Sequence, residues 1–209
     1  VVVAGSTDGD LGGTGNAGGA DVFVRKYDVS GTVLWTRQFG MVGSDGAESV
    51  SVDSDGSVVV AGYTDGNLSG TGHAGSFDAF LRKYDASGTV LWTRQFGTVS
   101  PEIVESMSVG TDGTIAVVGF NQGDLGGTGH AGGVWDAFVR TYDASGTARW
   151  TRQFGTATDD FARGVSVGSD GSVFVAGSTQ GNLAGTGVIG LTDAFLRKYD
   201  ASGTMVWTR

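Results

Sequence analysis

One hexapeptide, Trp-Thr-Arg-Gln-Phe-Gly, begins at Trp35, Trp92 and Trp150, and its first half recurs at Trp207. The spacings are 57, 58 and 57 residues. A period of this length across most of the chain predicts a repeat architecture, in which each copy buries its faces against its neighbours. The copies also provide an internal comparison. Positions held in every copy report on the fold, and positions that differ are where a specific function can reside.

The copy from Glu48 to Gly97 sets out one repeat. Ser49–Val52 alternates polar and apolar residues and predicts a first strand, A. Asp53-Ser54-Asp55-Gly56 is a hairpin-turn signal. Val58–Tyr63 is a short apolar run rich in β-branched residues, which predicts a strand B buried on both faces. A long loop, 64–77, carries glycine at 66, 70, 72 and 75. Asp78–Tyr84 predicts strand C, Asp85-Ala86-Ser87-Gly88 a tight turn, and Thr89–Phe96 strand D. No segment combines a 3.6-residue period with helix caps. Four short antiparallel strands with a tryptophan in the last are the blade of a β-propeller. The predicted fold is therefore an all-β propeller of four-stranded antiparallel blades, about 57 residues per repeat. Four copies are present, at approximately 1–47, 48–104, 105–162 and 163–209.

The run Asp78-Ala79-Phe80-Leu81-Arg82-Lys83-Tyr84-Asp85-Ala86-Ser87-Gly88 through Trp92, with Val52–Gly62 before it, resembles the bacterial SBBP β-propeller repeat family. The resemblance covers essentially the whole chain. It implies a propeller, usually in secreted or surface proteins of bacteria, and carries no general biochemical activity with it.

Composition narrows the function classes. Glycine is 39 of 209 residues and proline 1, so the chain is neither collagen-like nor a proline-rich linker. The glycines recur at fixed places, which argues for ordered turns. A formal net charge of −9 disfavours nucleic acid and anionic membrane surfaces as partners. The absence of cysteine excludes disulfides, zinc-thiolate sites and cysteine nucleophiles. No apolar run approaches the ~20 residues of a membrane-spanning helix. The chain opens on Val1-Val2-Val3 and reads as an excerpt of a longer precursor.

The first copy starts at strand B, so its blade is expected to lack the inner strand A. Two ways of closing a ring follow: further blades of the same chain, or a second copy of it. Alternating strand directions place the long B–C and D–A loops at one end of the blades and the tight A–B and C–D turns at the other. Long loops on a rigid scaffold are the usual place for binding.

Variation between copies concentrates on that long-loop face. Before strand C the copies read Gly19-Ala20, Ser76-Phe77, Val134-Trp135 and Leu191-Thr192, with one extra residue in the third. Phe77 and Trp135 can stack on a sugar ring while Asp65, Asp124 or Asn67 accept its hydroxyl hydrogens. The D–A loops hold an acid at matching places, Asp45, Glu102 and Asp160, followed by Glu48, Glu105 and Arg163. His73 and His130 share one loop position, matched by Asn16 and Val188, which are not comparable metal ligands. Asp8-Gly9-Asp10 and Asp53-Ser54-Asp55-Gly56 are oxygen-rich, but turn chemistry accounts for them better than calcium. Neighbouring acids such as Asp159-Asp160 do not establish acid–base catalysis. The recurrent Arg25, Arg82, Arg140, Arg197 and Arg37, Arg94, Arg152, Arg209 are expected to pair between blades, each for no more than ~1 kcal/mol. No catalysis, cofactor or metal is expected. The expected role is a binding or adhesion module for a glycan or protein, outside the cell or on its surface, through Phe77, Trp135, Asp65, Asp124, His73, His130, Asp45, Glu102 and Asp160. The alternatives are a structural array forming a filament, stalk or surface layer, and an enzyme on a propeller scaffold.

Overall fold

Among the described residues the computed structural model contains fifteen β-strands and no helix. It describes every residue except Thr14, Thr71, Thr128, Thr186, Val188 and Ile189. The chain divides into two compact units, Val1–Val99 and Ser100–Arg209. Each unit holds two antiparallel sheets that form propeller-type blades.

In the first unit, blade 1 is the three-stranded sheet β1 (Val2–Thr7), β2 (Asp21–Tyr27) and β3 (Val33–Phe39). Blade 2 orders β4 (Asp45–Val52), β5 (Val58–Thr64), β6 (Asp78–Tyr84) and β7 (Val90–Phe96). In the second unit, blade 3 orders β8 (Glu102–Val109), β9 (Ile115–Asn121), β10 (Asp136–Tyr142) and β11 (Ala148–Phe154). Blade 4 orders β12 (Asp160–Val167), β13 (Val173–Thr179), β14 (Asp193–Tyr199) and β15 (Met205–Thr208). Blade 1 has no A strand, as its sequence predicts.

Strands B, C and D lie close to their predicted positions. Strand A is longer than expected. β4 reaches back to Asp45 because a bulge at Glu48 breaks the alternation and hides the first half of the strand from a period-2 reading. The same bulge falls at Glu105 and Arg163. A second recurrent bulge opens strand D, where the register steps from Lys83↔Trp92 to Tyr84↔Val90 and leaves Leu91 unpaired and about half exposed.

The cores lie between blades. Val22, Val24 and Trp35 of blade 1 pack with Val58, Val60, Phe80 and Tyr84 of blade 2. The second unit repeats this with Val139 and Phe154 of blade 3 against Val173, Val175, Phe195 and Tyr199 of blade 4. Val58, Val59 and Val60 are all fully buried, so both faces of strand B are covered, one by each side of the sheet.

Strand D makes the polar joint to the next blade. Trp35 Nε1 donates to Ala86 O at 3.1 Å, and Arg37 Nε donates to Gly88 O at 2.6 Å. Trp150 and Arg152 repeat both bonds to Ala201 O and Gly203 O, at 3.1 and 2.8 Å. Arg37 and Arg152 thus pair with carbonyls of the neighbouring C–D turn rather than with its aspartates. Those aspartates are engaged within their own turns. The Ser30, Ser87, Ser145 and Ser202 hydroxyls and turn N–H groups hold Asp28, Asp85, Asp143 and Asp200 below the ordinary carboxylate value. Two strand-C arginines lie over the preceding blade's phenylalanine, Arg82 3.8 Å from the Phe39 centroid and Arg197 4.1 Å from that of Phe154.

Gly203 sits in this joint at φ +80°, and a Cβ there would lie 2.5 Å from Trp150 Cδ2. Gly203→Ala is therefore expected to destabilise the chain by about 2–4 kcal/mol, from backbone strain and overpacking together. Trp150→Phe, which keeps a ring and deletes the N–H, should cost about 1 kcal/mol. Urea unfolding of both variants measures the difference; equal losses would remove the joint as described.

Candidate functional site

The glutamine of the repeated hexapeptide holds the long B–C loop. Gln38 Oε1 accepts from Leu11 N at 2.7 Å and Gly12 N at 3.1 Å. Its Nε2 donates to Gly9 O at 2.9 Å and to Asp21 Oδ2 at 3.0 Å. Gln95 makes the same four bonds to Leu68, Ser69, Gly66 and Asp78. Gln153 makes them to Leu125, Gly126, Gly123 and Asp136. The aspartate's Oδ2 also accepts a loop N–H, from Ala17, Ala74 or Ala131. In the third copy that bond spans five residues instead of four, which absorbs the inserted residue. One carboxamide therefore satisfies both its donors and both its acceptor positions, and pins a glycine-rich loop that has little core of its own.

The D–A loop is braced by buried acids. Asp45 and Asp160 are 0% exposed, at the first position of strand A. Asp45 Oδ2 accepts from Met41 N at 2.6 Å, and Asp160 Oδ2 accepts from Thr156 N at 2.6 Å. The glycine that ends the hexapeptide leaves room for them. A Cβ at Gly155 would lie 2.5 Å from Asp136 Oδ1 and 2.9 Å from Asp160 Oδ2, so two carboxylates of adjoining blades face one point. Asp21 Oδ1, Asp136 Oδ1 and Asp160 Oδ1 are buried without a hydrogen-bond partner among the described residues. Burial pushes the Asp45 carboxyl above its ordinary value. The Asp65 and Asp21 carboxylates add to the rise, against the lowering effect of Thr64 and the Met41 N–H.

The varying aromatic residues pack on their own blades. Phe77 meets Tyr63 edge-on, with centroids 5.4 Å apart, and Trp135 meets Phe120 edge-on at 4.9 Å. Both Phe77 and Trp135 remain half-buried. In the second unit the group is larger. Phe161 of strand A packs edge-on against Phe120 at 5.0 Å. The guanidinium of Arg163, set out by the strand bulge, lies 5.3 Å from the Phe120 centroid and 4.7 Å from that of Phe161. Arg163 Nη1 also reaches Glu105 Oε1 at 2.8 Å, with 48% of its side chain exposed. Trp135, Phe120, Phe161 and Arg163 thus make one continuous patch at the loop end of blades 3 and 4.

The other predicted residues separate by depth. Asp124 is exposed, and Asp65 is half-buried with its carboxylate against Gly43 of the D–A loop. Asp45, Glu102 and Asp160 were expected on the face; all three are 0% exposed, because strand A begins at them and draws them under the loops. Asp159 turns the other way, and its Oδ1 accepts from Val134 N at 2.7 Å and Trp135 N at 3.2 Å. His73 and His130 are half-buried in the B–C loops, with His130 Nε2 3.9 Å from Asp136 Oδ1. Val188, their match in the fourth copy, lies outside the described residues. Among the described residues no group of three or more histidines and acids is arranged to hold a metal ion. The oxygen-rich turns are occupied internally. Asp10 Oδ1 accepts from Gly13 N at 2.7 Å, and Lys83 Nζ binds Asp53 Oδ2 at 3.3 Å.

Residues 149–184, from strand D of blade 3 into the B–C loop of blade 4, match the family described as SBBP, beta-propeller repeat. That stretch is an SBBP-type β-propeller repeat. The chain is 32% identical over 190 residues to the regulatory protein FlaEY of Caulobacter vibrioides, covering 84% of this chain and 20% of that protein. The chain therefore spans about a fifth of the length of that relative. A solved structure of a protein of unknown function from Bacteroides caccae shares the fold, with a TM-score of 0.51 at 10% identity over 99% of this chain and 57% of that one. The WD40 domain of Neurospora crassa Pan2 gives a TM-score of 0.48 at 13% identity, over 91% of this chain and 48% of that one.

Several residues that shape the face carry no motif: Gln38, Gln95 and Gln153, the strand-C aspartates Asp21, Asp78 and Asp136, and the patch members Phe120 and Phe161. The signal for the first two groups is present in the repeats, as a polar residue held unchanged beside apolar strands.

Two outcomes follow from this geometry. Gln153→Ala leaves the buried Asp136 carboxylate with fewer donors, and is expected to cost about 2–3 kcal/mol and to speed hydrogen exchange at the Leu125 and Gly126 amides. A raised Asp45 means that the folded state binds the proton more tightly than the unfolded state. Its contribution is present at low pH and is lost as pH rises from about 4 through the folded value. Asp45→Asn should then raise the melting temperature at pH 7 and lose that advantage near pH 4. A variant no more stable than the parent at pH 7 would contradict the assignment.

Proposed function

We propose that this chain is a non-catalytic binding module that acts through its long-loop face, with a protein or glycan ligand outside a bacterial cell or on its surface. The observation that carries the reading is the patch of Trp135, Phe120, Phe161 and Arg163. Tryptophan and arginine are enriched among residues that dominate binding energy, and here Trp135 stands on a braced loop and Arg163 on strand β12. Phe77 with Tyr63 is the smaller counterpart in the first unit. A protein ligand suits the patch better than a sugar, because Arg163 already covers parts of the two phenylalanine rings. The relative's description as a regulatory protein accords with action by protein contact. The absence of catalysis is supported by the placement of the acids. Asp45 and Asp160 are enclosed, and Asp159 is committed to loop N–H groups.

A structural role is the second reading. It is favoured by the apolar pairs Val33-Leu34, Val90-Leu91 and Met205-Val206, which are 47–55% exposed at the start of the D strands. Outer strands bearing such pairs can join other chains.

The two readings part in one experiment. In the binding reading, Trp135→Ala with Arg163→Ala lowers affinity at least about tenfold for a protein cross-linked to the wild-type chain on living cells, or for a glycan bound on an array, with the chain still folded at the assay temperature by circular dichroism. Undiminished capture by the double variant removes this surface. Ordered polymers of the purified chain under the electron microscope, dispersed by Leu34→Lys with Leu91→Lys, would favour the structural reading instead.

A further inference from the structure

Blade 3 holds the guanidinium of Arg163 with two of its own side chains. The group lies 5.3 Å from the Phe120 centroid, and Nη1 donates to Glu105 Oε1 at 2.8 Å. Trp135 backs Phe120 edge-on at 4.9 Å. A ring and a carboxylate meeting one planar cation combine cation–π attraction with a charge-assisted hydrogen bond. Blade 2 carries the same three parts at the same places in its repeat: Glu48 at the bulge of β4, Tyr63 in β5 and Phe77 before β6. Tyr63 and Phe77 meet at 86°, as Phe120 and Trp135 do at 85°. Tyr63 pairs with Gly46, where a Cβ would lie 2.6 Å from Tyr63 Cζ, so its ring lies across bare backbone. Glu48 is exposed, and Tyr63 and Phe77 are half-buried. Burial, then the charges of Glu48 and Asp45, push the Tyr63 hydroxyl above its ordinary value, so the field at this ring is negative. Blades 1 and 4 have Ser6 with Ala20 and Ser178 with Thr192 in place of the aromatic pair. One repeat before Arg163 stands Glu105, so at that step the repeat supplies a carboxylate and no guanidinium.

We infer that Glu48, Tyr63 and Phe77 form a receptor for the guanidinium of an arginine carried by a protein partner. The ligand lies against the Tyr63 ring and donates to the Glu48 carboxylate, as Arg163 does with Phe120 and Glu105. Phe77 sets the ring and widens the apolar surface beside the cation. A planar, weakly hydrated guanidinium stacks on a ring and keeps its N–H groups for the carboxylate, whereas a lysine ammonium is a compact and strongly hydrated charge. The receptor therefore ranks arginine above lysine, and both above a neutral side chain of the same shape. The inference rests on the reading of the long-loop face as a binding face, but it uses no residue of the Trp135 patch. Capture that survives Trp135→Ala with Arg163→Ala removes that patch and leaves this site standing.

The probe is acetyl-Gly-Arg-Gly-amide, titrated into the ¹⁵N-labelled chain at about 0.15 M salt, where long-range attraction to a negative chain is screened. The Tyr63 and Phe77 amides are expected to shift together, with a midpoint on the order of 1–10 mM. The citrulline peptide, which keeps the shape without the charge, and the lysine peptide should each bind at least about threefold more weakly. Glu48→Gln, a change at an exposed side chain, should weaken the arginine peptide about three- to tenfold. Phe77→Ala should weaken it as well, and an unchanged amide spectrum away from its loop is the folding control for both variants. Lysine equal to arginine overturns the assignment to a guanidinium. Equal shifts with arginine and citrulline, shifts indifferent to both variants, or no shift at Tyr63 and Phe77 across the millimolar range overturn the receptor itself.

Discussion

The contact on which the rest depends is the joint between strand D of one blade and the C–D turn of the next. A four-stranded blade with two apolar faces has no stable existence alone. Packing of Phe39 and Tyr84, or of Phe154 and Tyr199, brings the faces together but does not set their angle. The tryptophan and arginine bonds to the next turn add direction, because each donor must meet a carbonyl at hydrogen-bonding distance. The joint recurs in both units with nearly the same distances, so it belongs to the repeat and not to one place in the chain.

Each position of the repeated hexapeptide has a physical task. The tryptophan and arginine reach the next blade. The threonine hydroxyl accepts from the strand-C arginine, as Thr36 does from Arg25 at 2.9 Å and Thr208 from Arg197 at 2.8 Å. The glutamine clasps the B–C loop, the phenylalanine lies under the next blade's arginine, and the glycine admits two carboxylates. Alternation along the strand divides these tasks. The loop clasp and the blade joint therefore lie on a single rigid strand, and loops of variable composition can be held to a constant frame. A binding face needs this arrangement, since ordered loops lose less entropy when a ligand is bound.

Much of the fold was legible from the repeat. The strand-C and strand-D limits followed from apolar runs between turn signals, and the missing inner strand of blade 1 followed from counting copies. The start of strand A was not legible, because a bulge at Glu48, Glu105 and Arg163 breaks the period that would reveal it. That one irregularity also explains why Asp45, Glu102 and Asp160 read as open loop acids and are buried. At the candidate site, Phe77 and Trp135 stood out because they vary. Arg163 stood out as the odd match of Glu48 and Glu105, but Phe120 and Phe161 did not, since they lie on β9 and β12 and meet only when blade 3 and blade 4 pack together.

The order of residues along the chain was enough to establish the period, the strand sequence within a blade, the unequal loops and the exclusion of thiol chemistry. These are local or additive properties, carried by turn residues, apolar runs and composition. Partner choice was decided in three dimensions. Arg37 and Arg152 take carbonyls instead of carboxylates because the turn aspartates are already satisfied by their own serines and backbone N–H groups. Gln153 clasps a loop about thirty residues upstream because antiparallel pairing brings β11 beside β10. Such bonds depend on which groups remain unpaired once the strands are assembled, and no spacing along the chain records that.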